Sequence, residues 1–296
     1  MTLAGLSQPT PVAAASCAGE APAAPARPFA PAATAADLPA PFGYRPDGMD
    51  RATLLAEVAD VVRGQAVDLG AAGCYLEKPT AIAEGVDFLS PYEFLVVTMY
   101  EQDHARRDAL LDQYASDPRG AIKALAEHYP SNRSQSIMMN YAYFDIGSDR
   151  IRVNAAHVPV TDLRRVLVHE FWHAMPDTRV WRESADRTVR ANGFWLQERR
   201  GTVPVWLPVE DRGGLPYQSY LLDEAMATMM ETRYAGPSPM ARRELDEVQT
   251  YLSRLMTLAG PAEVLETYLA SEPHELEVLT EEHRSSFPDL EPLARS

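Results

Sequence analysis

His169, Glu170 and His173 stand in the order H-E-x-x-H within residues 161–175, TDLRRVLVHEFWHAM. Histidines four apart on a helix lie one turn above the other, so both imidazoles can reach a single ion. Glu170 follows the first histidine directly, where it can hydrogen-bond a water on that ion without occupying the ion itself. That arrangement is what metal-assisted hydrolysis needs, with Glu170 as general base. The bland alternative makes both histidines core residues satisfied by backbone carbonyls. It leaves the purpose-built helix around them unexplained.

The flanking residues predict that helix. Thr161 is placed to cap it, Asp162 puts negative charge in its first turn, and Pro176 stops it. Val166, Leu167, Val168, Phe171 and Trp172 leave no wholly polar face, so the helix belongs inside the domain. A second apolar helix is expected within residues 217–236, from Leu221, Leu222, Ala225, Met226, Met229 and Met230, ended by Gly236-Pro237. Glu224, Thr228 and Glu231 form one polar stripe on it. A carboxylate on a buried helix is costly without a partner, so this stripe should face one.

The remaining elements frame these two. Residues 135–157 alternate in polarity, turn at Gly147-Ser148-Asp149 and alternate again, which predicts a hairpin leading straight into the motif helix. Leu54, Leu55, Val58, Val61 and Val62 predict a helix from Asp50 ending at Gly64, with residues 65–89 irregular. Ser90-Pro91-Tyr92-Glu93 is a capping box opening a helix to about Tyr114, and Asp117-Pro118 caps another with Ile122, Leu125 and Ala126 inward. Residues 177–216 carry arginines at 179, 182, 187, 190, 199 and 200 and are expected as a wall or lid over the cleft. Those arginines are read as partners for nearby Glu and Asp before anchors for an acidic substrate. Two amphipathic helices are expected beyond Met240, clearest over 245–258 and 262–269.

The expected fold class is therefore α+β and mostly helical, with a small antiparallel sheet beside the motif helix. Residues 1–48 read as a disordered Ala/Pro-rich leader or linker, 49–134 as a helical lobe, and 135–296 as the catalytic domain with a helical tail. The formal net charge is −15, and no basic cluster tracks phosphates, so nucleic acid is not an expected partner. Residues 261–296 hold nine Asp/Glu against two Arg, read as a solvated acidic tail. No apolar run reaches the ~18 residues of a membrane span. The two cysteines, Cys17 and Cys74, are not expected to bridge, and Cys74 reads as a small buried hydrophobe. Ala-Ala-Ser-Cys, ending at Cys17, resembles a lipoprotein processing site but lacks the preceding basic residue and apolar run. An extracytoplasmic location, secreted or lipid-anchored at Cys17, is the expectation, with a cytoplasmic chain as the alternative.

These motifs resemble the gluzincins, zinc metallopeptidases with H-E-x-x-H on one helix and a Glu ligand on a later one. The resemblance covers residues 135–235 and implies a zincin-like catalytic domain, one Zn²⁺ per chain and a peptide or protein substrate. Position by position it makes His169, His173 and Glu224 the ligands, Glu170 the base and Thr228 an outer support for a ligand imidazole. Glu224 is preferred over Asp177, Glu183, Asp186, Asp211, Asp223 and Glu231, because it lies mid-helix among apolar residues and precedes Ala225. Tyr217 takes the place of an oxyanion-stabilising tyrosine, with Tyr220, Tyr234 and His157 as competitors. The metzincin extension is absent, with Pro176 and Arg179 where Gly and His would stand.

Two rivals come from other classes. Glu101–His104 and Glu170–His173 both spell E-x-x-H, the repeated element of ferritin-like di-iron oxidoreductases, although His169 then has no role. A zincin-like module without catalysis is the other rival.

Overall fold

The computed structural model describes residues 50–100, 103–128, 137, 140–159, 161–182, 187–200, 203–205, 217, 219–237, 243–271 and 273–287. Among these the fold is mostly helical with two small sheets, an α+β arrangement. Among the described residues no helix is long and apolar enough to cross a membrane. The leader expected over 1–48 lies outside the described residues.

Helix α1 (Arg51–Asp68) starts where Asp50 accepts a hydrogen bond from the Thr53 amide and buries Leu54, Leu55, Val58 and Val62. It runs through Gly64 to Asp68, further than its sequence predicts, because apolar Ala66 is also buried. The stretch read as irregular then forms a 3₁₀ turn (Gly73–Leu76), helix α2 (Lys78–Glu84) and strand β1 (Val86–Leu89). Ser90 and Glu93 form the expected capping box at the start of α3 (Pro91–Met99). The single helix expected to reach Tyr114 breaks at Tyr100. A second cap, Asp103 accepting from the Arg106 amide at 3.0 Å, starts α4 (His104–Ser116). Asp117 caps α5 (Pro118–His128) through the Gly120 amide, as expected. Leu125 faces inward as expected, joined by Ala121, whereas Ile122 is exposed.

The expected hairpin is present as β2 (Ala142–Asp145) and β3 (Arg150–Asn154), although Ile137, read as strand, is helical. The sheet is not purely antiparallel. Strand β1 pairs in parallel with β3, giving the order β1-β3-β2 and leaving β2 at an edge among the described residues. Asp87 of β1 takes ion pairs from Arg150 and from fully buried Arg152, which also lies 3.7 Å from Asp145. A charge as buried as Arg152 is tolerated only when paired, so this network fixes the register of the sheet. Because β1 and α1 come from the expected helical lobe and β2 and β3 from the expected catalytic domain, the two stretches share one core.

The motif helix is α6 (Leu163–Ala174). It begins one residue later than predicted: Asp162 is the cap position, and Thr161 hydrogen-bonds the Asp162 side chain rather than a helix amide. It is reached through an eight-residue connection, not directly from β3. Leu163, Leu167, Val168, Phe171 and Trp172 are buried, as the absence of a polar face requires. The long insertion forms a four-stranded antiparallel sheet, β4 (Arg179–Arg182), β5 (Arg187–Asn192), β6 (Trp195–Arg200) and β7 (Val203–Val205). Arg190 donates to the Ile146 carbonyl at 3.2 Å. Helix α7 (Ser219–Ala235) carries Glu224 and ends at Gly236, whose φ of +76° suits a residue without Cβ. Three tail helices follow where two were expected: α8 (Arg243–Ala259), α9 (Pro261–Ala270) and α10 (Pro273–Glu282).

Cys74 corrects another expectation. It is exposed and disulfide-bonded rather than a buried free thiol.

Candidate metal centre

Helices α6 and α7 pack side by side, and their contacts run in opposite order along the two chains. His173 meets Asp223, His169 meets Glu231, and Arg165 meets both Glu231 and the Gly236 carbonyl. The pair is therefore antiparallel. Behind it, the Gln65 side chain of α1 accepts from Trp172 Nε1 at 2.7 Å and donates to the Met230 carbonyl at 2.8 Å, tying both helices to one residue.

At the centre, His169 Nε2 and His173 Nε2 lie 3.1 Å apart. One Glu224 oxygen is 3.6 Å from His169 Nε2 and the other is 3.7 Å from His173 Nε2. Ligands on a tetrahedral zinc at ordinary Zn–N and Zn–O distances stand about 3.3 Å from one another. Taken singly, each separation lies near that spacing, with the two carboxylate oxygens divided between the two rings; one ligand atom from each residue lies within 4.8 Å of the others. Among the described residues, His169, His173 and Glu224 are the one group of three or more His, Cys, Asp or Glu placed to share an ion.

The opposite ring edges decide which nitrogens are free. His169 Nδ1 lies 3.1 Å from Glu231 and His173 Nδ1 lies 2.6 Å from Asp223. A carboxylate accepts only, so each Nδ1 carries hydrogen and each Nε2 keeps its lone pair. Two lone pairs facing at 3.1 Å repel unless a proton or a cation lies between them. Burial, the largest influence on His169, opposes charging it. The Glu224 and Glu231 carboxylates outweigh that and raise its pKa well above the ordinary value. His173 is likewise disfavoured by burial and raised by Asp223. A site of this kind holds a positive charge in either form, and the donor set fits a zinc ion.

Glu170 points to the same region from α6. It is buried, and that burial raises its pKa against the lowering influence of both histidines and of a hydrogen bond from the Phe144 backbone. Glu224 is the open side of the centre, its side chain 41 % exposed against 17 % and 11 % for His169 and His173.

Other expectations for the site shift. Thr228 makes no described bond to an imidazole; Asp223 and Glu231 take the supporting role assigned to it. Glu231 is itself steadied by an ion pair with Arg165. Alanine at Glu231 or at Asp223 should weaken zinc binding by about 10–100-fold, the usual cost of an outer partner, in competition with a coloured chelator. Unchanged affinity in both would remove these carboxylates from the site. The Tyr217 ring packs edge-on against Tyr251 at 5.4 Å, beside Glu247. Tyr220 and Tyr234 are exposed, and His157 lies against Tyr141. Asp177 is engaged by Lys78 and Tyr75 (2.6 and 2.9 Å), while Glu183, Asp186 and Asp211 lie outside the described residues. His104 is exposed at the first turn of α4 and Glu101 lies outside the described residues, so the di-iron reading gains no second cluster among the described residues.

Sequence reasoning missed Tyr268 of α9. It is fully buried, donates to the Trp172 carbonyl at 2.8 Å, and has its pKa pushed up by burial and then by Asp223. The turn between β5 and β6 packs against the same spot. Gly193 has φ +58°, and a Cβ there would stand 2.4 Å from Asp223 Oδ1 and 2.6 Å from the Tyr268 ring. The insertion is thus a back wall for Asp223 at this turn. Gly193→Ala should cost about 1–3 kcal/mol in denaturant unfolding, from the strained backbone and the clash together. An unchanged midpoint would show that the wall yields freely.

The chain matches no family model, no curated protein and no solved structure.

Proposed function

We propose that the protein is a zinc-dependent metallopeptidase of the gluzincin type, with a zincin-like catalytic unit, His169, His173 and Glu224 as ligands and Glu170 as general base. One observation carries the reading: two imidazole lone pairs and a carboxylate converge at the spacing of ligands around one tetrahedral ion. Zinc in that position would supply a Lewis acid that acidifies water and polarises a peptide carbonyl. Glu170 takes the proton of the attacking water and passes it to the leaving amine. A carboxyl whose burial raises its proton affinity suits a group that must hold a proton between two steps.

A peptide substrate is supported by β2. Its Phe144 N–H is directed at Glu170, away from β3. Hydrogen bonding alternates along an antiparallel ladder, so Ala142, two residues earlier, also turns its N–H and C=O to the side of β2 that no other strand pairs among the described residues. An extended peptide can add to such an edge by backbone bonds alone, beside the proton acceptor.

The test is calorimetric and enzymatic together. Zinc titrated into the chelator-stripped chain at pH 7 should bind one ion per chain and release protons, seen as a dependence of the heat on buffer ionisation enthalpy. The sign follows from the raised histidine pKa values: the metal-free pair binds a proton that zinc must displace, so affinity rises with pH. The loaded chain should then cleave members of a peptide library. Two irons per chain would replace this reading with the oxidoreductase, and intact peptides with a binding module.

A further inference from the structure

A third helix, α9, meets the candidate metal centre where α6 ends. In an unbroken helix the Trp172 carbonyl would accept the amide of residue 176, but residue 176 is proline and has no N–H. The Tyr268 hydroxyl of α9 donates to that carbonyl instead, at 2.8 Å. The next amide, that of Asp177, donates to the Leu269 carbonyl at 2.7 Å. The Trp172 carbonyl and the His173 N–H belong to one planar peptide unit, so the hydroxyl fixes the plane from which His173 projects. We propose that Tyr268 is a positioning residue of the metal centre, holding the backbone at His173 and the carboxylate of Asp223 so that His173 Nε2 stays aimed at the ion. That role presupposes the zinc site proposed above and concerns what holds one of its ligands.

The second contact is with Asp223. Its Oδ2 meets His173 Nδ1 at 2.6 Å, while its Oδ1 is buried with no hydrogen-bond partner among the described residues. A tyrosine hydroxyl has a single hydrogen, and here the Trp172 carbonyl takes it. Asp223 Oδ1 is therefore confined by packing. The Tyr268 ring and Asp223 Oδ1 stand against the same side of the turn at Gly193, and the ring is fully buried and packed on Phe194 at 4.9 Å. An unmet buried acceptor favours any movement that finds it a donor. A fixed ring beside it denies Asp223 the room.

Other side chains fasten the same end of α6. Lys78 donates to the Met175 carbonyl at 2.9 Å, Asn192 to the Pro176 carbonyl at 3.3 Å, and Ser271 to the Asp177 carbonyl at 2.5 Å. All three act beyond His173. Of these four donors, Tyr268 is the one that acts at the ligand's own peptide unit, which separates positioning from the general fastening of a helix end.

The experiment measures zinc affinity of the full chain against a coloured chelator, with cobalt(II) substitution as a spectroscopic readout. Tyr268→Phe keeps the ring and removes the hydroxyl. It should weaken zinc binding by about 10-fold, the low end for a partner beyond the ligands, and alter the visible absorption of the cobalt form. Lys78→Met removes a clamp two residues further on; it should lower the thermal midpoint, as Tyr268→Phe does, and leave both metal readouts unchanged. Because Tyr268 and Asp223 hold the same imidazole, the double variant with Asp223→Ala should lose less affinity than the product of the two single losses. Full zinc affinity in Tyr268→Phe, or an equal loss in Lys78→Met, would overturn the proposal and spare the metal site. A wild-type chain that binds no zinc would overturn both together. Should Tyr268→Phe fail to fold, hydrogen exchange of the wild-type chain decides: zinc should slow exchange in α9, and unchanged exchange there would overturn the role.

Discussion

Replacing Glu170 with Gln should leave one zinc per chain in place and lower peptide hydrolysis by at least about 10²–10⁴-fold, the share a positioned general base supplies. The expectation follows from where the carboxyl stands. Glu170 is outside the His169–His173–Glu224 triangle, so a neutral amide of equal size removes no ligand. The amide oxygen can still accept the Phe144 backbone bond, but it cannot take a proton from water. Stability should hold or rise slightly, since burial already works against the ionised form of this residue. Zinc content by mass spectrometry, kcat against a cleaved peptide and a thermal midpoint separate the possibilities. Full hydrolytic activity would exclude Glu170 as the base. Loss of zinc together with activity would make Glu170 part of the ligand set instead.

What the sequence disclosed about this site, and what it hid, divides along the distance over which information acts. The H-E-x-x-H spacing, the capping box at Ser90 and the Gly236 stop are local patterns, and each stands in the fold where it was expected. Strand β1 was hidden because VDFL is short and does not alternate; it becomes a strand by pairing with β3, more than sixty residues away. The break at Tyr100 has no Gly or Pro to announce it, and only the Asp103 cap after it marks a new start.

The polar stripe on α7 was legible, yet its roles were assigned by adjacency along the helix. Thr228 lies one turn past Glu224, but its side chain is short. Glu231, two turns on and almost directly in line, is long enough to reach His169 on the antiparallel neighbour. Only knowing that α6 and α7 run in opposite directions pairs Asp223 with His173 and Glu231 with His169. Tyr217 lies before the helix as the resemblance requires, with its ring edge-on against Tyr251 of α8. Tyr268 gave no local signal at all, since its partner is a carbonyl on a helix ninety-six residues away.

Glu224→Ala should remove most of the zinc, with an effect on affinity larger than the about 10–100-fold expected for loss of Asp223 or Glu231. The three acids touch the same pair of histidines, so their ranking is a sharp test. Asp223 and Glu231 bond the Nδ1 edges, and the two nitrogens of an imidazole point in divergent directions. An acid on the Nδ1 side can orient the ring and strengthen its donor, but it cannot share the ion held at Nε2. Glu224 alone among them faces both Nε2 atoms, one carboxylate oxygen toward each. Its removal leaves two neutral donors and no negative charge in direct contact with the dication, whereas removal of either outer acid leaves all three donors present. Competition with a chelator of known affinity gives the order, and circular dichroism confirms that each variant is folded. Full zinc retention in Glu224→Ala, with loss in Asp223→Ala or Glu231→Ala, would mean that the ion sits on the other edge of the rings, and the hydrolytic geometry built around Glu170 would fall with it.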